Sequence, residues 1–187
     1  MKKTIFTMLA FLSLKIRGVQ FGKNLTVLGF PYVRAYGRLI LGDSVTINSG
    51  LRANAVFGLG VNALICKKNA ELVIGDFVGM SNVSIYSENS ITIGKYCFLG
   101  AGVKIWDTDF HSLCPTMRST IGDRGLNAPI SIGENCFIGA GSIVLKGVNI
   151  GNNVVVGAGS VVTKNIPDNE VWAGNPCRYI KSINEIF

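Results

Sequence analysis

Residues 132–166 read IGENCFIGAGSIVLKGVNIGNNVVVGAGSVVTKNI, and a large aliphatic side chain recurs in this stretch at every sixth position. A small, thiol-bearing or β-branched aliphatic residue follows each of these positions four residues later. An amphipathic α-helix repeats every 3.6 residues and a half-buried strand every two, so neither element explains this period. The two sets are Ile132, Ile138, Val144, Ile150, Val156 and Val162, and Cys136, Ser142, Val148, Val154, Ser160 and Ile166.

A period of six predicts short strands separated by tight bends. Both residue sets point inward, and the Gly, Asn and Asp residues between them supply the left-handed backbone conformations of corners. Three such sides close a triangle of about 18 residues, and successive coils stack at about 4.8 Å, the usual separation of paired strands. The sequence therefore predicts an all-β fold, a parallel β-solenoid.

Four motifs at the end of the chain resemble those of the hexapeptide-repeat acyltransferases. They are IGNNVV (150–155), VGAGSV (156–161), VTKNIP (162–167) and AGNPCRYIK (173–181). The resemblance covers residues 20–183, and it is greatest to bacterial surface-polysaccharide and sugar O-acetyltransferases. It implies a left-handed parallel β-helix, a homotrimer and acetyl-CoA as co-substrate.

Composition narrows the class of protein further. A chain of 187 residues with 48% hydrophobic residues suggests one domain with an ample core. The formal charge of +7 is compatible with anionic lipid or a phosphorylated ligand, but no basic run is interleaved with aromatic residues, which argues against nucleic acid. Five widely spaced cysteines without a Cys-x-x-Cys pair indicate a reducing cytoplasm.

The sequence divides into three segments. Residues 1–18 form a capping or interfacial segment, because an apolar run between Lys2, Lys3, Lys15 and Arg17 either covers the open end of the solenoid or contacts the inner membrane surface. Residues 19–167 form the β-helix, interrupted by an aperiodic excursion at 106–129 that we expect to be functional. Residues 168–187 are expected to form a C-terminal tail or short helix.

His111 is the only histidine and lies in the excursion, within the sequence DTDFH. Transfer of an acetyl group to a hydroxyl requires removal of the hydroxyl proton, and imidazole is suited to that near neutrality. The family carries its base on the equivalent loop, so the resemblance implies that His111 is the general base. Asp109 or Asp107 either orients the imidazole or forms an Asx-turn at the start of the loop.

The resemblance also implies the residues that bind the co-substrate. The backbone N–H of Ala140 would stabilise the oxyanion. Phe137 stands where relatives often have Trp. Basic residues of the C-terminal motifs suit the phosphates of coenzyme A. The expected cofactor-binding residues are Ala140, Ala158, Thr163, Lys164, Arg178 and Lys181.

The expected acceptor is a sugar hydroxyl, with Asn82, Glu88 and Asp107 as substrate-binding residues and no metal. Asn82 and Glu88 could equally be polar turn residues. A xenobiotic acceptor and an amino acceptor are alternatives to the sugar hydroxyl. A non-catalytic solenoid scaffold is an alternative to an enzyme, but it would not account for the excursion with its histidine. A further alternative makes Cys114 the acyl-carrying nucleophile. One histidine excludes the three-histidine zinc site found in carbonic anhydrases of this fold.

Overall fold

The computed structural model describes residues 2–50, 53 and 60–185 and forms a three-sided prism of parallel β-sheets. Met1 and residues 186–187, at the ends of the two expected terminal segments, lie outside the described residues, as do the side chains of Lys2 and Lys3. The strands are β1 (Gln20–Phe21), β2 (Thr26–Leu28), β3 (Tyr32–Ala35), β4 (Arg38–Leu41), β5 (Thr46–Asn48), β6 (Ala63–Cys66), β7 (Glu71–Ile74), β8 (Gly79–Ser81), β9 (Ser84–Ser87), β10 (Ser90–Ile93), β11 (Phe98–Leu99), β12 (Lys104–Trp106), β13 (Ile130–Ile132), β14 (Phe137–Ile138), β15 (Ile143–Leu145), β16 (Asn149–Ile150), β17 (Val155–Val156), β18 (Val161–Val162), β19 (Glu170–Ala173) and β20 (Arg178–Ser182).

Each face of the prism is one sheet whose strands come from successive coils. Sheet A has the order β1-β4-β7-β10-β13-β16, sheet B the order β2-β5-β8-β11-β14-β17-β19-β20, and sheet C the order β3-β6-β9-β12-β15-β18. The pairs of successive coils are parallel, and of the strands in the described residues only β19 and β20 pair antiparallel. The predicted left-handed β-helix is therefore confirmed.

The core is a set of ladders built from the inward positions of the six-residue period. In sheet A the register pairs Leu41 with Ile74, Ile74 with Ile93, Ile93 with Ile132, and Ile132 with Ile150. All five side chains are buried. Because each coil has its large side chain directly above the previous one, the ladders fill most of the interior.

The three corners differ in backbone conformation. At the corner between sheets A and B, residues with positive φ stack from coil to coil, including Asn24, Asn135 and Asn153, and the aromatic rings of Phe77 and Tyr96 stack there 4.8 Å apart. Between sheets B and C, a Gly with φ near +70° recurs at Gly102, Gly141 and Gly159. The corner between sheets C and A carries the excursion.

Helix α1 (Lys2–Ile16) precedes the first coil and packs onto it. Ala10 and Leu14 are buried in the same core as the ladders, with Phe11 packed beside them. The two residues are four apart and so share one face of the helix. No helix in the described part of the chain has the length and hydropathy needed to cross a bilayer.

The C-terminal segment differs from the expected tail. β19 pairs parallel with β17 and so continues sheet B beyond residue 167, and β20 folds back on β19. A 3₁₀ turn follows at Ile183–Glu185. The backbone keeps pairing with the last coil because the hydrogen-bonding edge of sheet B would otherwise be open to solvent.

Candidate active site

The excursion leaves the solenoid at the corner between sheets C and A, and its two ends are joined by hydrogen bonds. The N–H of Asp109 donates to the carbonyl oxygen of Leu126 at 3.0 Å, and the N–H of Ala128 donates to the carbonyl oxygen of Asp107 at 3.0 Å. Phe110 packs edge-on against Tyr86 and Trp106. These contacts fix the base of the loop, and a short helix, α2 (Pro115–Arg118), lies exposed near its tip.

His111 comes directly after the residues that fix the loop to the solenoid, and its ring is held by a carboxylate from the other side of the loop. Nδ1 of His111 lies 2.6 Å from Oδ2 of Asp123, and Oδ1 of Asp123 accepts the N–H of Ser112 at 2.7 Å. The Ser112 amide and the His111 ring lower the pKa of Asp123 below its usual value. A carboxylate at Nδ1 favours the tautomer that leaves Nε2 free to accept a proton, and the His111 side chain is 70% exposed.

Asp109, expected as a possible partner of the imidazole, contacts Lys146 instead. Its Oδ2 lies 3.2 Å from Nζ of Lys146, just beyond the end of β15. This oxygen is buried, and no well-directed hydrogen bond reaches it from the described residues, so the Lys146 charge offsets its burial. The pair ties the loop base to the coil that carries β15.

Asp107 does not fit the expected role of substrate contact. Its side chain is fully buried and accepts the backbone N–H groups of Glu88 and Asn89 at 2.7 and 2.9 Å and the hydroxyl of Ser87 at 3.0 Å. Because these donors occupy the carboxylate and no surface reaches solvent, that assignment is wrong. Asp107 instead closes the turn between β9 and β10 beneath the loop.

Ala140 lies in a tight turn between β14 and β15. Gly141 has φ +71°, and the N–H of Ser142 donates to the carbonyl oxygen of Gly139 at 3.2 Å, as in a type II turn. The N–H of Ala140 has no acceptor among the described residues, and neither has that of Ala158 in the next coil. Both are therefore available donors on the same corner.

Within one chain, His111 and Ala140 belong to different corners. Ala140 lies between sheets B and C, whereas Asp109, two residues before His111, is bound to Lys146 between sheets C and A. The three-residue strand β15 separates the two corners by about 10 Å. The structure thus does not bring the expected base and the expected oxyanion donor together at one corner.

The expected acceptor residues are divided in the same way. Asn82 lies between sheets B and C, is buried, and accepts the N–H of Gly50 at 2.8 Å. Glu88 lies beside the loop and accepts the hydroxyl of Thr108 at 2.7 Å. Both side chains therefore serve in turns, and Glu88 keeps partial exposure next to the excursion.

The expected coenzyme A residues gather near the last coils. Ala158 is exposed in the turn after β17, and Thr163 and Lys164 are exposed directly after β18. Arg178 and Lys181 lie on β20, where Arg178 is exposed and Lys181 partly so. The three basic residues are free of ion pairs within the described ranges.

Two residues of the loop base were missed from the sequence. Asp123 lies twelve residues from His111 and Lys146 lies in a regular hexad, so no spacing connects them to the histidine or to Asp109. Only the hydrogen bonds that close the excursion bring these side chains together. An aperiodic segment gives no register from which such pairs could be read.

Comparison with known proteins assigns the chain to a family. Residues 129–164 match the family model described as the hexapeptide repeat of succinyl-transferase. The WbbJ protein of Escherichia coli K12, named as a lipopolysaccharide biosynthesis O-acetyl transferase, is 33% identical over 88% of this chain and 82% of its own length. The fold, the repeat and this relative show that the chain belongs to the hexapeptide-repeat acetyltransferases.

Two further relatives agree with the assignment. The galactoside O-acetyltransferase of Lactococcus lactis is 41% identical over 63% of this chain, but the alignment spans only 55% of that protein's length. A solved galactoside acetyltransferase in complex with coenzyme A superposes with a TM-score of 0.64 at 27% identity, covering 94% of this chain and 70% of that one.

Proposed function

We propose that this protein transfers the acetyl group of acetyl-CoA to a hydroxyl group of a sugar. The observation that carries the proposal is the His111 imidazole, oriented by Asp123 in the excursion at 106–129 of a fold that belongs to acetyltransferases. A histidine with Nδ1 held and Nε2 exposed is equipped to act as a general base.

The proposed reaction is a direct attack. Nε2 of His111 takes the proton of the acceptor hydroxyl while its oxygen attacks the thioester carbonyl carbon. The free N–H of Ala140 donates to the oxyanion of the tetrahedral intermediate. The carbon–sulfur bond then breaks, and the departing coenzyme A sulfur receives the proton from the imidazolium, which leaves the acetyl ester and free coenzyme A.

The separation of His111 from Ala140 supports a homotrimer in which each site spans two subunits. In this arrangement His111 of one copy faces the partner subunit's Ala140 across the boundary, and the pantetheine arm lies in the groove between them. Exposed Phe98 and Phe137, in register on neighbouring coils of sheet B, border a cavity of about 340 Å³ and offer apolar surface to a second copy.

The basic residues of the last coils suit the phosphates of coenzyme A. Lys164 and Arg178 are exposed and form no ion pair within the described part of the chain, so their charges are available to an anion. Thr163, Lys181 and the Ala158 N–H complete this proposed site. Partly exposed Glu88, beside the loop, is the better placed of the two candidate acceptor contacts.

The proposed acceptor belongs to surface-polysaccharide assembly. Its support is the likeness to WbbJ, which extends over most of both chains. We further place the protein in the cytoplasm, because all five cysteines are free and four of them are buried.

Calorimetric titration of the purified protein with coenzyme A and acetyl-CoA tests the proposal without a choice of acceptor. We expect one site per subunit, weakened about tenfold by Lys164→Ala or Arg178→Ala, since each substitution removes a charge-assisted contact. Lys95→Ala is the matched control, because Lys95 lies 3.6 Å from Glu134 at another corner. A folded trimer that binds neither ligand would contradict the proposal.

Substitution of the base tests the mechanism. His111→Ala should lower turnover at least about a hundredfold while the affinity for coenzyme A stays unchanged, because the imidazole acts on the acceptor proton. The measurement is release of free thiol with a panel of sugars, and light scattering on the same samples reports the trimer. Near-normal turnover of this variant on the true acceptor would remove His111 from the reaction.

A further inference from the structure

The net positive charge of this protein lies at its N-terminal end. Residues 1–42 contain seven Lys and Arg and no Asp or Glu, whereas residues 43–187 contain eleven of each sign. Of the seven, Arg38 forms an ion pair with Glu71. The whole formal surplus of +7 therefore lies in α1, the first coil and the start of the second coil, away from the last coils where the acyl donor is proposed to bind. The seven residues are Lys2, Lys3, Lys15, Arg17, Lys23, Arg34 and Arg38.

Helix α1 is apolar on two opposite sides. Ala10 and Leu14 are buried in the core, whereas an outward row with helical spacing is exposed. A surface helix normally has a polar outer face, and a helix that is apolar all round is normally covered on every side. Capping of the solenoid explains the inner face of α1 and leaves the outer one unexplained. The outward row consists of Met8, Leu9, Leu12 and Ile16, of which Ile16 is 75% exposed.

A groove with two guanidinium groups continues from this row. A cavity of about 500 Å³ lies between the end of α1 and β3, and it is lined by Ile16, Arg17 and the residues of β3 up to Tyr36. The Arg34 guanidinium lies 5.2 Å from the centre of the Tyr32 ring, and the Arg17 guanidinium contacts Ser13. Tyr32 and Tyr36 are exposed. Aliphatic side chains, tyrosines and arginines thus form one continuous surface.

We propose that this surface, made of Met8, Leu9, Leu12, Ile16, Arg17, Tyr32, Arg34 and Tyr36 and called here the α1 face, docks onto a bilayer that contains anionic lipid. The aliphatic row enters the boundary between headgroups and acyl chains, and the tyrosines lie at headgroup level. Arg17, Arg34 and the neighbouring Lys15 meet lipid phosphates. The helix lies in the plane of the membrane while Ala10 and Leu14 hold it to the first coil.

Two other occupants fit the α1 face less well. A second copy bound through the same face on both sides would bring two strongly positive ends together without an acidic residue to offset them. A nucleic acid would match the charge, but it would leave the aliphatic row of α1 against a polar backbone. A bilayer with anionic headgroups satisfies both the apolar row and the charge.

Co-flotation of the full chain with lipid vesicles tests the proposal. We expect binding to phosphatidylcholine vesicles that contain a quarter phosphatidylglycerol and much weaker binding to phosphatidylcholine alone. Leu12→Glu with Ile16→Glu should reduce partitioning at least tenfold, because two aliphatic groups leave the membrane and two negative charges are added. Arg17→Gln and Arg34→Gln should each reduce it about fivefold, and high salt should act in the same direction.

A matched control carries the same chemical change on another surface. Leu113 and Ile121 are at least as exposed as Leu12 and Ile16 but lie on the excursion, so Leu113→Glu with Ile121→Glu should leave vesicle binding unchanged. Thermal unfolding and coenzyme A titration of each variant show that it is folded. Equal binding to neutral and anionic vesicles, or no loss in the folded α1 variant, would overturn the proposal. So would a fall in oligomer mass caused by that variant while vesicle binding persists, since the face would then be an interface between copies.

Discussion

The carboxylate of Asp123 bridges the His111 ring and the Ser112 amide, at 2.6 Å from Nδ1 and 2.7 Å from the backbone nitrogen. The two contacts fix both the tautomer and the direction of the imidazole. Asp123→Asn keeps the shape of the side chain but can present an N–H to Nδ1 and so favour the wrong tautomer. We expect kcat to fall about a hundredfold with little change in coenzyme A affinity, measured by steady-state kinetics and titration.

Asp109→Asn is the matched control for this prediction. It removes the same charge from the same loop, but Asp109 faces Lys146 rather than the imidazole. Its effect on kcat should be clearly smaller than that of Asp123→Asn. Equal losses would mean that both substitutions act by disordering the loop, and Asp123 would lose its role as a positioning residue.

The Asp123 contacts also define how the loop responds to acid. The Ser112 amide and the His111 ring lower the pKa of Asp123 from its ordinary 3.8. A lowered folded-state pKa means that the carboxylate contributes stability above pH 3.8, and the contribution is lost as the pH falls through the lower folded value. The carboxylate therefore stays ionised through the neutral range in which the imidazole acts.

Much of the fold could be predicted from residues 132–166 because every coil of a solenoid packs its inward side chains in the same way. Every sixth residue meets the equivalent residue of the next coil, so Ile132 and Ile150 specify their contact by spacing alone. The C-terminal strands could not be predicted in this way. β20 reverses direction to pair with β19, and its hydrogen bonds depend on an open edge of sheet B rather than on the period.

Asp107 should act on stability rather than on substrate binding. Asp107→Ala leaves the N–H groups of Glu88 and Asn89 without their acceptor, which costs about 1–3 kcal/mol of unfolding free energy. The measurement is thermal and denaturant unfolding followed by circular dichroism. Asp107→Asn keeps one oxygen as an acceptor, so its free energy of unfolding should fall less than that of Asp107→Ala. An Asp107→Ala variant with wild-type stability and a raised KM for the acceptor would restore the substrate assignment.

The candidate site was harder to predict than the fold because its partners come from an aperiodic loop. The DTDFH sequence contains the histidine and two nearby aspartates, and it predicts that one of these aspartates is the partner of the imidazole. In the structure Asp107 turns inward and Asp109 turns towards Lys146, which leaves Asp123 for the imidazole. The roles of three aspartates in one loop are set by how the loop closes, and the order of residues does not contain that information.

The turn that carries Ala140 depends on Gly139. A Cβ at Gly139 would lie 2.5 Å from the nitrogen of Ala158 and 2.7 Å from the carbonyl oxygen of Val156, so the backbone must move. Gly139→Ala should cost about 1–3 kcal/mol of stability and displace both free N–H donors. Coenzyme A affinity should fall about tenfold with it, measured by titration of the folded variant.

Gly133→Ala provides the control for that substitution. Its Cβ would meet the backbone of Gly151 and Asn152 at 2.6 to 2.8 Å, a collision of the same kind at the corner between sheets A and B. We expect a similar loss of stability and unchanged coenzyme A affinity. If both variants weaken binding equally, the effect comes from general destabilisation, and the Ala140 turn has no special role.

Cys114 allows a direct test of whether the reaction passes through a covalent acyl-enzyme. The hydroxyl of Thr116, 3.1 Å from Sγ, and nearby backbone amides lower the pKa of the Cys114 thiol, and the side chain is exposed. The other four cysteines are buried. Iodoacetamide at neutral pH should therefore modify Cys114 alone, and Thr116→Val should slow the reaction severalfold because the thiolate fraction falls. Thr120→Val is the control, since the Thr120 hydroxyl donates to the Met117 carbonyl and not to the thiol.

With His111 as base and direct attack by the acceptor, Cys114→Ser should retain acetyl transfer, and no acetyl group should appear on Cys114 by mass spectrometry. A loss as large as that of His111→Ala, together with an acetylated Cys114 peptide from the wild-type enzyme, would replace direct attack by a two-step mechanism.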